Sequence, residues 1–235
     1  MYELAPYVSA CTTGRHCIFL DLKQDRYVSV SLESMRRLAP MICGWRPNCD
    51  SENSVPEPSC NAATTAEDLM HAGILCKTEG IAEPKRRLPA PATRDFEFPD
   101  CRQHAASPRH HRIQSIYALI RADIALRRIS LWRIAERIRR EKSKPAPDLR
   151  DPPPWDVESI TKSFLRVRPW YPRNYVCLYD SLALMLLLES YRIRADWIFG
   201  VREDPFVAHC WVQHGETVLN DHFDRIRNYV PIMAI

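Results

Sequence analysis

Two clusters of proline divide this sequence into three stretches. The first cluster places five prolines between residues 83 and 108, and the second runs from Pro145 to Pro154. Proline fixes φ and has no amide hydrogen, so it does not sit inside helices or central strands. We therefore expect regular elements before, between and after the clusters. With 19 prolines against 6 glycines, the spacers should be stiff.

Charge is distributed unevenly along the 235 residues. Lys and Arg number 33 against 29 Asp and Glu, a net charge of +4. Residues 81–150 hold 17 basic and 8 acidic residues, whereas residues 1–80 and 151–235 are slightly acidic. Hydrophobic residues make up 46% of the chain, which is enough for a packed core and excludes a wholly disordered or collagenous protein.

The nine cysteines are scattered singly, with no Cys-x-x-Cys pair. The first residues do not combine a basic stretch with an apolar one, so they do not resemble a secretory signal. The longest unbroken apolar run, Leu182 to Leu188, is seven residues long, against about 20 for a membrane-spanning helix. We therefore expect a cytoplasmic protein with free thiols and no membrane contact.

The start of the chain combines strand and helix patterns. Short apolar runs separated by turn residues predict a three-stranded meander over residues 8–11, 16–22 and 26–30. Helical spacing follows in residues 35–42 and again in residues 69–75, with Thr65 as the expected N-cap of the second helix. A small domain of three strands followed by helices is predicted.

Helical patterns dominate the middle. Arginines fill the face opposite an apolar stripe formed by Ile113, Ile116, Tyr117, Ile120, Ile124, Leu131, Ile134 and Ile138. Residues 155–167 predict another short helix. Residues 178–191 are apolar nearly all round, which predicts a buried helix.

After that helix the hydrophobic period changes to two. Strands are predicted over residues 195–201, 208–213 and 217–221, with a turn at residues 214–216. Helices followed by an antiparallel sheet indicate an α+β fold.

Three residues in the C-terminal part of the chain carry side chains suited to hydrolysis. Cys177 starts the buried helix, where first-turn amides and the helix dipole favour a thiolate. His209 lies in the second predicted strand and Asp221 ends the third. A three-residue loop would pair positions 209 and 221 directly, whereas a two-residue loop would place Asp221 on the opposite face. Each residue taken alone also has a purely structural interpretation: Cys177 as a core thiol, His209 as a strand histidine and Asp221 as a turn cap.

The residues around these three positions carry a family resemblance. The matching motifs are Cys177-Leu178, Ser181 to Leu184, Gly200-Val201, Pro205-Phe206, Ala208-His209, Trp211-Val212 and Asn220-Asp221. They resemble those of the lasso-peptide B proteins, transglutaminase-like cysteine proteases that remove the leader from a ribosomally made precursor. A weaker N-terminal pattern, chiefly in residues 19–22, Tyr27 and residues 73–75, resembles the recognition domain of the same pathway.

The resemblance implies an α+β protein of two domains. Residues 1–80 would form a small winged-helix-like domain that recognises the leader, and residues 81–111 a Pro-rich linker. Residues 112–235 would form a transglutaminase-like (papain-like) cysteine protease domain. It implies the catalytic residues Cys177, His209 and Asp221, without a metal or another cofactor.

The resemblance also implies two partners. The precursor's leader would add as an extra strand to the third strand of the recognition domain, formed by Arg26, Tyr27, Val28, Ser29 and Val30. An asparagine-synthetase-like cyclase, which closes the macrolactam ring of the released core with ATP, would be the second partner. The basic segment 113–140 is one candidate contact for this cyclase. Cys210 has no predicted role.

Three alternatives remain. The first is a zinc site, although tight ligand pairs are missing, formed from Cys177, His209, Cys210, His214 and His222. The second is nucleic-acid binding through the basic segment 81–150, which lacks the interleaved aromatic residues of a stacking platform. We favour a solvated helix face there. The third is acyl transfer to an amine instead of water, which would use the same three catalytic residues.

Overall fold

A computed structural model of the chain describes residues 1–43, 60–78, 88–96, 109–144 and 156–235. Most of the proline clusters lies outside these residues. Two compact units are present. The first comprises Met1–Arg87, Val201–Val207 and Val230–Met233, and the second comprises Leu88–Gly200, Ala208–Tyr229 and Ala234–Ile235. The predicted domain boundaries, 1–80, 81–111 and 112–235, stay predictions.

The predicted meander is confirmed in the first unit. After a short strand β1 (Tyr2–Leu4), the sheet consists of β2 (Val8–Thr12), β3 (His16–Asp21) and β4 (Arg26–Ser31), antiparallel and with β3 in the centre. Asp21 shapes the second turn, because its Oδ1 accepts hydrogen bonds from the amides of Lys23 and Gln24 at 2.9 and 3.1 Å. This turn leads into β4 at the edge of the sheet.

Two helices and a further strand complete the main part of this unit. Helix α1 (Leu32–Leu38) runs into a short 3₁₀ turn, and α2 (Cys60–His71) is followed by β5 (Leu75–Lys77), which pairs with β1. The predicted N-cap at Thr65 is wrong, because α2 begins five residues earlier. The predicted helical spacing through residue 75 is also interrupted, since Gly73 turns the chain with a φ of 74°. Helix and strand residues share one core, whose fully buried members include Phe19, Met35, Leu38 and Ile74.

The helices of the second unit pack around a buried central helix. They are α3 (Arg109–Arg128), α4 (Leu131–Ser143), α5 (Val157–Val167) and α6 (Cys177–Ser190). The predicted segment 113–140 is therefore two helices, separated at residues 129–130. The helices predicted over 155–167 and 178–191 are confirmed as α5 and α6. Tyr179 of α6 donates a hydrogen bond to the Leu119 carbonyl of α3 at 2.9 Å, which joins the two helices in the core.

A five-stranded sheet completes the α+β arrangement. Its strands are β6 (Arg94–Asp95), β7 (Asp196–Arg202), β8 (Val207–His214), β9 (Thr217–Val218) and β10 (Val230–Ala234), in the order β10-β7-β8-β9-β6, and a short helix α7 (Phe223–Ile226) precedes β10. β6 lies within the predicted linker 81–111, which is therefore not only a spacer. It pairs with β9 because the edge of that strand offers unpaired backbone groups: Phe96 donates to the Val218 carbonyl at 2.9 Å.

The apolar stripe of α3 points outward instead of into the core. Ile113 is 65% exposed and Ile124 is 50% exposed, whereas Leu119 is fully buried. The buried face carries small residues such as Ala118 and Ala122, which allow helices to approach closely. Within the described parts of the chain, no helix is long and apolar enough to cross a membrane.

Candidate active site

Cys177 is the first residue of α6, where a backbone amide has no acceptor within the helix. Its side chain is partly exposed. The preceding residue, Val176, offers no capping side chain. Instead, Asp180 accepts a hydrogen bond from the Val176 amide at 3.1 Å. This bond fixes the backbone at the point where the Cys177 thiol projects.

An ion pair that the sequence analysis missed holds the loop before Cys177. Arg168 is 2% exposed and donates a hydrogen bond to the Asp180 carboxylate. It also donates to the carbonyls of Arg173 and Asn174, at 3.0 and 2.9 Å, and lies 4.3 Å from the centre of the Tyr175 ring. Burial raises the pKa of Asp180, although Arg168 opposes this. A single arginine in a proline-containing loop carries no pattern that would have revealed its role.

His209 lies on β8 with its imidazole enclosed. His209 and Asp221 are both buried, and Nε2 of the imidazole is hydrogen-bonded to the Asp221 carboxylate. The ring also packs against Trp211 and Tyr229, with centroid distances of 6.2 and 5.2 Å. Because Asp221 occupies Nε2, Nδ1 is the nitrogen left for the Cys177 side chain, to which His209 is hydrogen-bonded.

The predicted route to this contact is wrong, although the contact forms. β8 and β9 pair with Gln213 opposite Val218 and His214 opposite Thr217, which leaves a two-residue loop. In a continued strand this register would place Asp221 on the opposite face from His209. However, β9 ends at Val218 and the chain bends. The side chain of Asn220 accepts a hydrogen bond from the Val212 amide at 2.7 Å, so Asp221 leaves the strand geometry and reaches the imidazole.

The thiol and the imidazole form an ion pair around neutral pH. Hydrogen bonds from the Cys210 side chain and then from His209, together with the Cys210 backbone, outweigh burial and lower the pKa of Cys177 to about 4. Burial lowers the pKa of His209, but hydrogen bonds to Asp221 and Cys177 outweigh it and raise that pKa to about 9. Between these values the site holds a thiolate beside an imidazolium, the reactive form of a cysteine nucleophile.

Cys210 belongs to this site, contrary to the sequence analysis, which assigned it no role. Its side chain is buried, and interaction with Cys177, together with burial, raises the pKa of Cys210 well above its usual value. The Ser181 hydroxyl donates to the Cys210 carbonyl at 3.1 Å, and the Asn220 amide donates to the Ser181 hydroxyl at 3.0 Å. Ser181 and Asn220 belong to the motifs of the family resemblance, but the network that they form depends on the tertiary structure.

The proposed leader-binding strand, Arg26 to Val30, is the edge strand β4. Val28 and Val30 pack against the core of the first unit. The guanidinium of Arg26 donates to the Ala72 carbonyl at 2.6 Å and contacts Asp21, so this side chain supports the fold. Tyr27 and Ser29 alternate with the inward valines and lie on the other face of the strand. Tyr27 packs edge-to-face against Phe206, with centroids 5.6 Å apart.

Comparison with known proteins identifies the family. A model of the transglutaminase-like superfamily matches residues 117–234, half of the chain. The chain belongs to the transglutaminase-like superfamily. All three candidate catalytic residues lie within the matched range.

A curated relative supports the resemblance to the lasso-peptide B proteins. The microcin J25-processing protein McjB of Escherichia coli is 47% identical over 45 residues, which is 19% of this transglutaminase-like chain. The chain matches only 22% of that relative's length. No solved structure matches the chain.

The zinc alternative gains no support from the geometry. Among the residues that the structure describes, no group of three or more His, Cys, Asp and Glu side chains is arranged to hold a metal ion. Both nitrogens of His209 are engaged, one by Asp221 and the other by Cys177. Nucleic-acid binding by the basic segment 81–150 stays the less favoured alternative to a solvated helix face, and no observation tests it.

Proposed function

We propose that this transglutaminase-like chain is a cysteine peptidase that removes the leader peptide from a lasso-peptide precursor. The observation that carries the proposal is the Cys177 thiolate beside the His209 imidazolium, which Asp221 holds by Nε2. The partial match to a microcin-processing protein supports the substrate class.

The reaction would proceed through an acyl-enzyme. The Cys177 thiolate attacks the carbonyl carbon at the end of the leader. The backbone amide of Cys177 donates one hydrogen bond to the oxyanion that forms. His209 then gives its proton to the amine of the core, which leaves as the carbon–nitrogen bond breaks. Neutral His209 next takes a proton from water, whose hydroxide attacks the thioester. The leader departs with a carboxylate, and the thiolate returns beside the imidazolium.

The first unit is proposed to recognise the leader. The winged-helix-like assignment belongs to this proposal and rests on the meander followed by helices. A peptide strand could pair along the exposed edge of β4, with backbone hydrogen bonds giving affinity. Tyr27 and Ser29 would then contact the side chains of the leader, while Val28 and Val30 hold the strand on its core.

An ATP-dependent cyclase is the proposed second partner. Cleavage at the end of the leader produces a core peptide with a free amine. Closing a macrolactam ring needs that amine as the nucleophile, so this cyclase would consume the product. The reaction proposed for Cys177 itself requires no ATP.

Mass spectrometry of the precursor after incubation with the purified protein tests the proposal. We expect a free leader and a free core with wild type and intact precursor with Cys177→Ala. Cys76→Ala is the matched control, because Cys76 lies on β5 and is not one of the candidate catalytic residues. This variant should cleave the precursor at the wild-type rate. Cleavage that persists in Cys177→Ala would refute the assigned nucleophile.

Water labelled with ¹⁸O separates hydrolysis from acyl transfer to an amine. Hydrolysis places one ¹⁸O atom in the new carboxylate of the leader, because water attacks the thioester. Transfer to an added amine gives an unlabelled amide instead. An amide as the main product, with an amine present at a concentration far below that of water, would favour the transglutaminase alternative.

A further inference from the structure

The apolar stripe on the outer face of α3 is a surface that the proposed peptidase reaction does not use. Its central members follow one another at steps of four, three and four residues and are 41–65% exposed: Ile113, Tyr117, Ile120 and Ile124. Ile116 lies beside them and is 44% exposed. Alternating steps of three and four residues align side chains in one narrow seam, here about 17 Å long at a rise of 1.5 Å per residue. Contiguous exposed apolar side chains of this kind indicate an interaction site.

The opposite face of α3 holds this seam in place. Leu119 and Ala122 are fully buried, and Tyr179 of the central helix α6 donates to the Leu119 carbonyl at 2.9 Å. Further along the helix, Asp123 forms an ion pair with Arg173, which lies shortly before α6. The helix is therefore already formed and fixed on the core. A partner that binds the seam does not have to order it, which lowers the entropic cost of binding.

Positive charge surrounds the seam. Arginines lie at both of its ends and along both of its sides: Arg109, Arg112, Arg121, Arg127 and Arg128. Asp123 is the one acidic residue of α3, and it is paired within the chain, with Arg127 at 2.9 Å and with Arg173. The seam therefore has an apolar centre and a rim with an excess of positive charge. Such a rim favours a partner with acidic side chains at the edges of its own apolar surface.

Spacing and charge together distinguish between possible occupants. A second copy of this chain would bring its own arginines against those of the rim, and like charges across a contact are unfavourable. A membrane surface suits a broad apolar face, whereas this stripe is one seam wide, which is the width of a contact between two helices. An amphipathic helix fits the seam with its apolar side and places its flanking side chains beside the arginines.

We propose that the outer face of α3 is a docking surface for an amphipathic helix with acidic flanks, presented by another protein. The seam residues pack against the apolar stripe of that helix, and the arginines of the rim pair with its carboxylates. The buried centre supplies affinity, and the charged rim selects the partner. This surface goes beyond the proposed peptidase function and does not depend on it, because none of the candidate catalytic residues belongs to the seam.

Two designed helical peptides test the docking surface. Both have the same length and the same leucines at alternating steps of three and four residues, but one carries Glu and the other Lys along both flanks. Fluorescence anisotropy with the full-length protein measures the binding of each labelled peptide. We expect the Glu peptide to bind at least about tenfold more tightly than the Lys peptide, because only its flanks complement the arginines. Added salt should reduce this difference, since it screens the exposed charges.

Matched variants locate the contact on α3. Ile120→Ser removes an apolar side chain from the middle of the seam, whereas Ile129→Ser removes one of nearly equal exposure, 42%, just beyond the end of the helix. We expect Ile120→Ser to weaken binding of the Glu peptide at least about fivefold and Ile129→Ser to bind like wild type. Arg121→Glu should also weaken binding, and much more than Arg137→Glu, which makes the same change in charge on α4.

Thermal unfolding should show that every variant is folded. Binding of neither peptide, equal binding of the two, or equal losses in Ile120→Ser and Ile129→Ser would refute the docking surface. Sedimentation velocity and flotation with phosphatidylglycerol vesicles test the other occupants. Self-association or vesicle binding that Ile120→Ser abolishes would overturn the proposed partner in favour of a second copy or a membrane.

Discussion

Asp221 holds the imidazole of His209 even though the register of their hairpin directs the two residues to opposite faces. The strands β8 and β9 pair through a two-residue loop, with His214 opposite Thr217. The contact forms because β9 ends at Val218 and Asn220 bonds back to the Val212 amide at 2.7 Å. The bend after β9 is therefore as important to the site as the strands are.

Replacing Asn220 with Ala should disturb the site more than the fold. The variant loses the hydrogen bonds to Val212 and Ser181, at a cost of about 1–3 kcal/mol in unfolding free energy. We expect a fall in kcat of at least about tenfold, since Asp221 is no longer held against the imidazole. Asn228→Ala is the control, because its side chain donates only to the exposed carbonyl of Asp224. Equal kcat values for both variants would contradict the role of the bend.

The pH dependence of kcat/KM should be bell-shaped. The thiolate is lost as the pH falls through about 4, the pKa of Cys177, and the imidazolium is lost as the pH rises through about 9, the pKa of His209. In Asp221→Asn the alkaline limb should move to lower pH, because the carboxylate that raises the pKa of His209 is gone. An unchanged alkaline limb in this variant would show that another group governs it.

Breaking the pair between buried Arg168 and partly buried Asp180 should destabilise the protein. Arg168→Met leaves the Asp180 carboxylate, whose side chain is 14% exposed, without its cation, which costs up to about 3 kcal/mol in unfolding free energy. The double variant Arg168→Met with Asp180→Asn should recover part of this loss, because neither charge of the pair remains. Urea unfolding measures both variants. A double variant less stable than the single one would argue that the backbone bonds of Arg168 dominate.

Two neighbouring residues of α3 should differ strongly in how much their substitution lowers the unfolding free energy. Ile120 is 41% exposed, so Ile120→Lys should change the unfolding free energy by no more than about 0.5 kcal/mol. Leu119 is fully buried, and Leu119→Ala should cost about 2–5 kcal/mol. Chemical denaturation of the two variants tests which face of the helix is packed. A large loss of unfolding free energy in Ile120→Lys would contradict this and indicate that the apolar stripe packs against other residues.

The leader-binding proposal can be tested on the two edges of one sheet. Ser29 lies on β4 and Ser9 lies on β2, the opposite edge strand. We expect Ser29→Glu to weaken binding of a fluorescent leader peptide about fivefold, since an unfavourable cross-strand contact costs up to about 1 kcal/mol. Ser9→Glu should bind like wild type. Fluorescence anisotropy with the full-length protein gives both affinities, and equal losses would argue against β4 as the docking edge.

Local pattern determined much of this protein. Alternating residues around the turn at Asp21 specify the meander, and the apolar run after Cys177 specifies a buried helix, because each signal arises within a few neighbouring residues. The order of Cys177, His209 and Asp221 along the chain, together with the family resemblance of the motifs around them, was likewise enough to predict one candidate site.

Tertiary structure decided which surfaces meet. The apolar stripe of α3 predicted its buried face incorrectly, since small residues such as Ala118 allow closer packing than isoleucines do. The thiol of Cys210 and the guanidinium of Arg168 join the site through contacts between distant segments, which no periodicity records. Asp221 reaches His209 only because a bend ends β9. These contacts depend on how whole elements pack together, and that information is spread over the entire chain instead of lying in any local pattern.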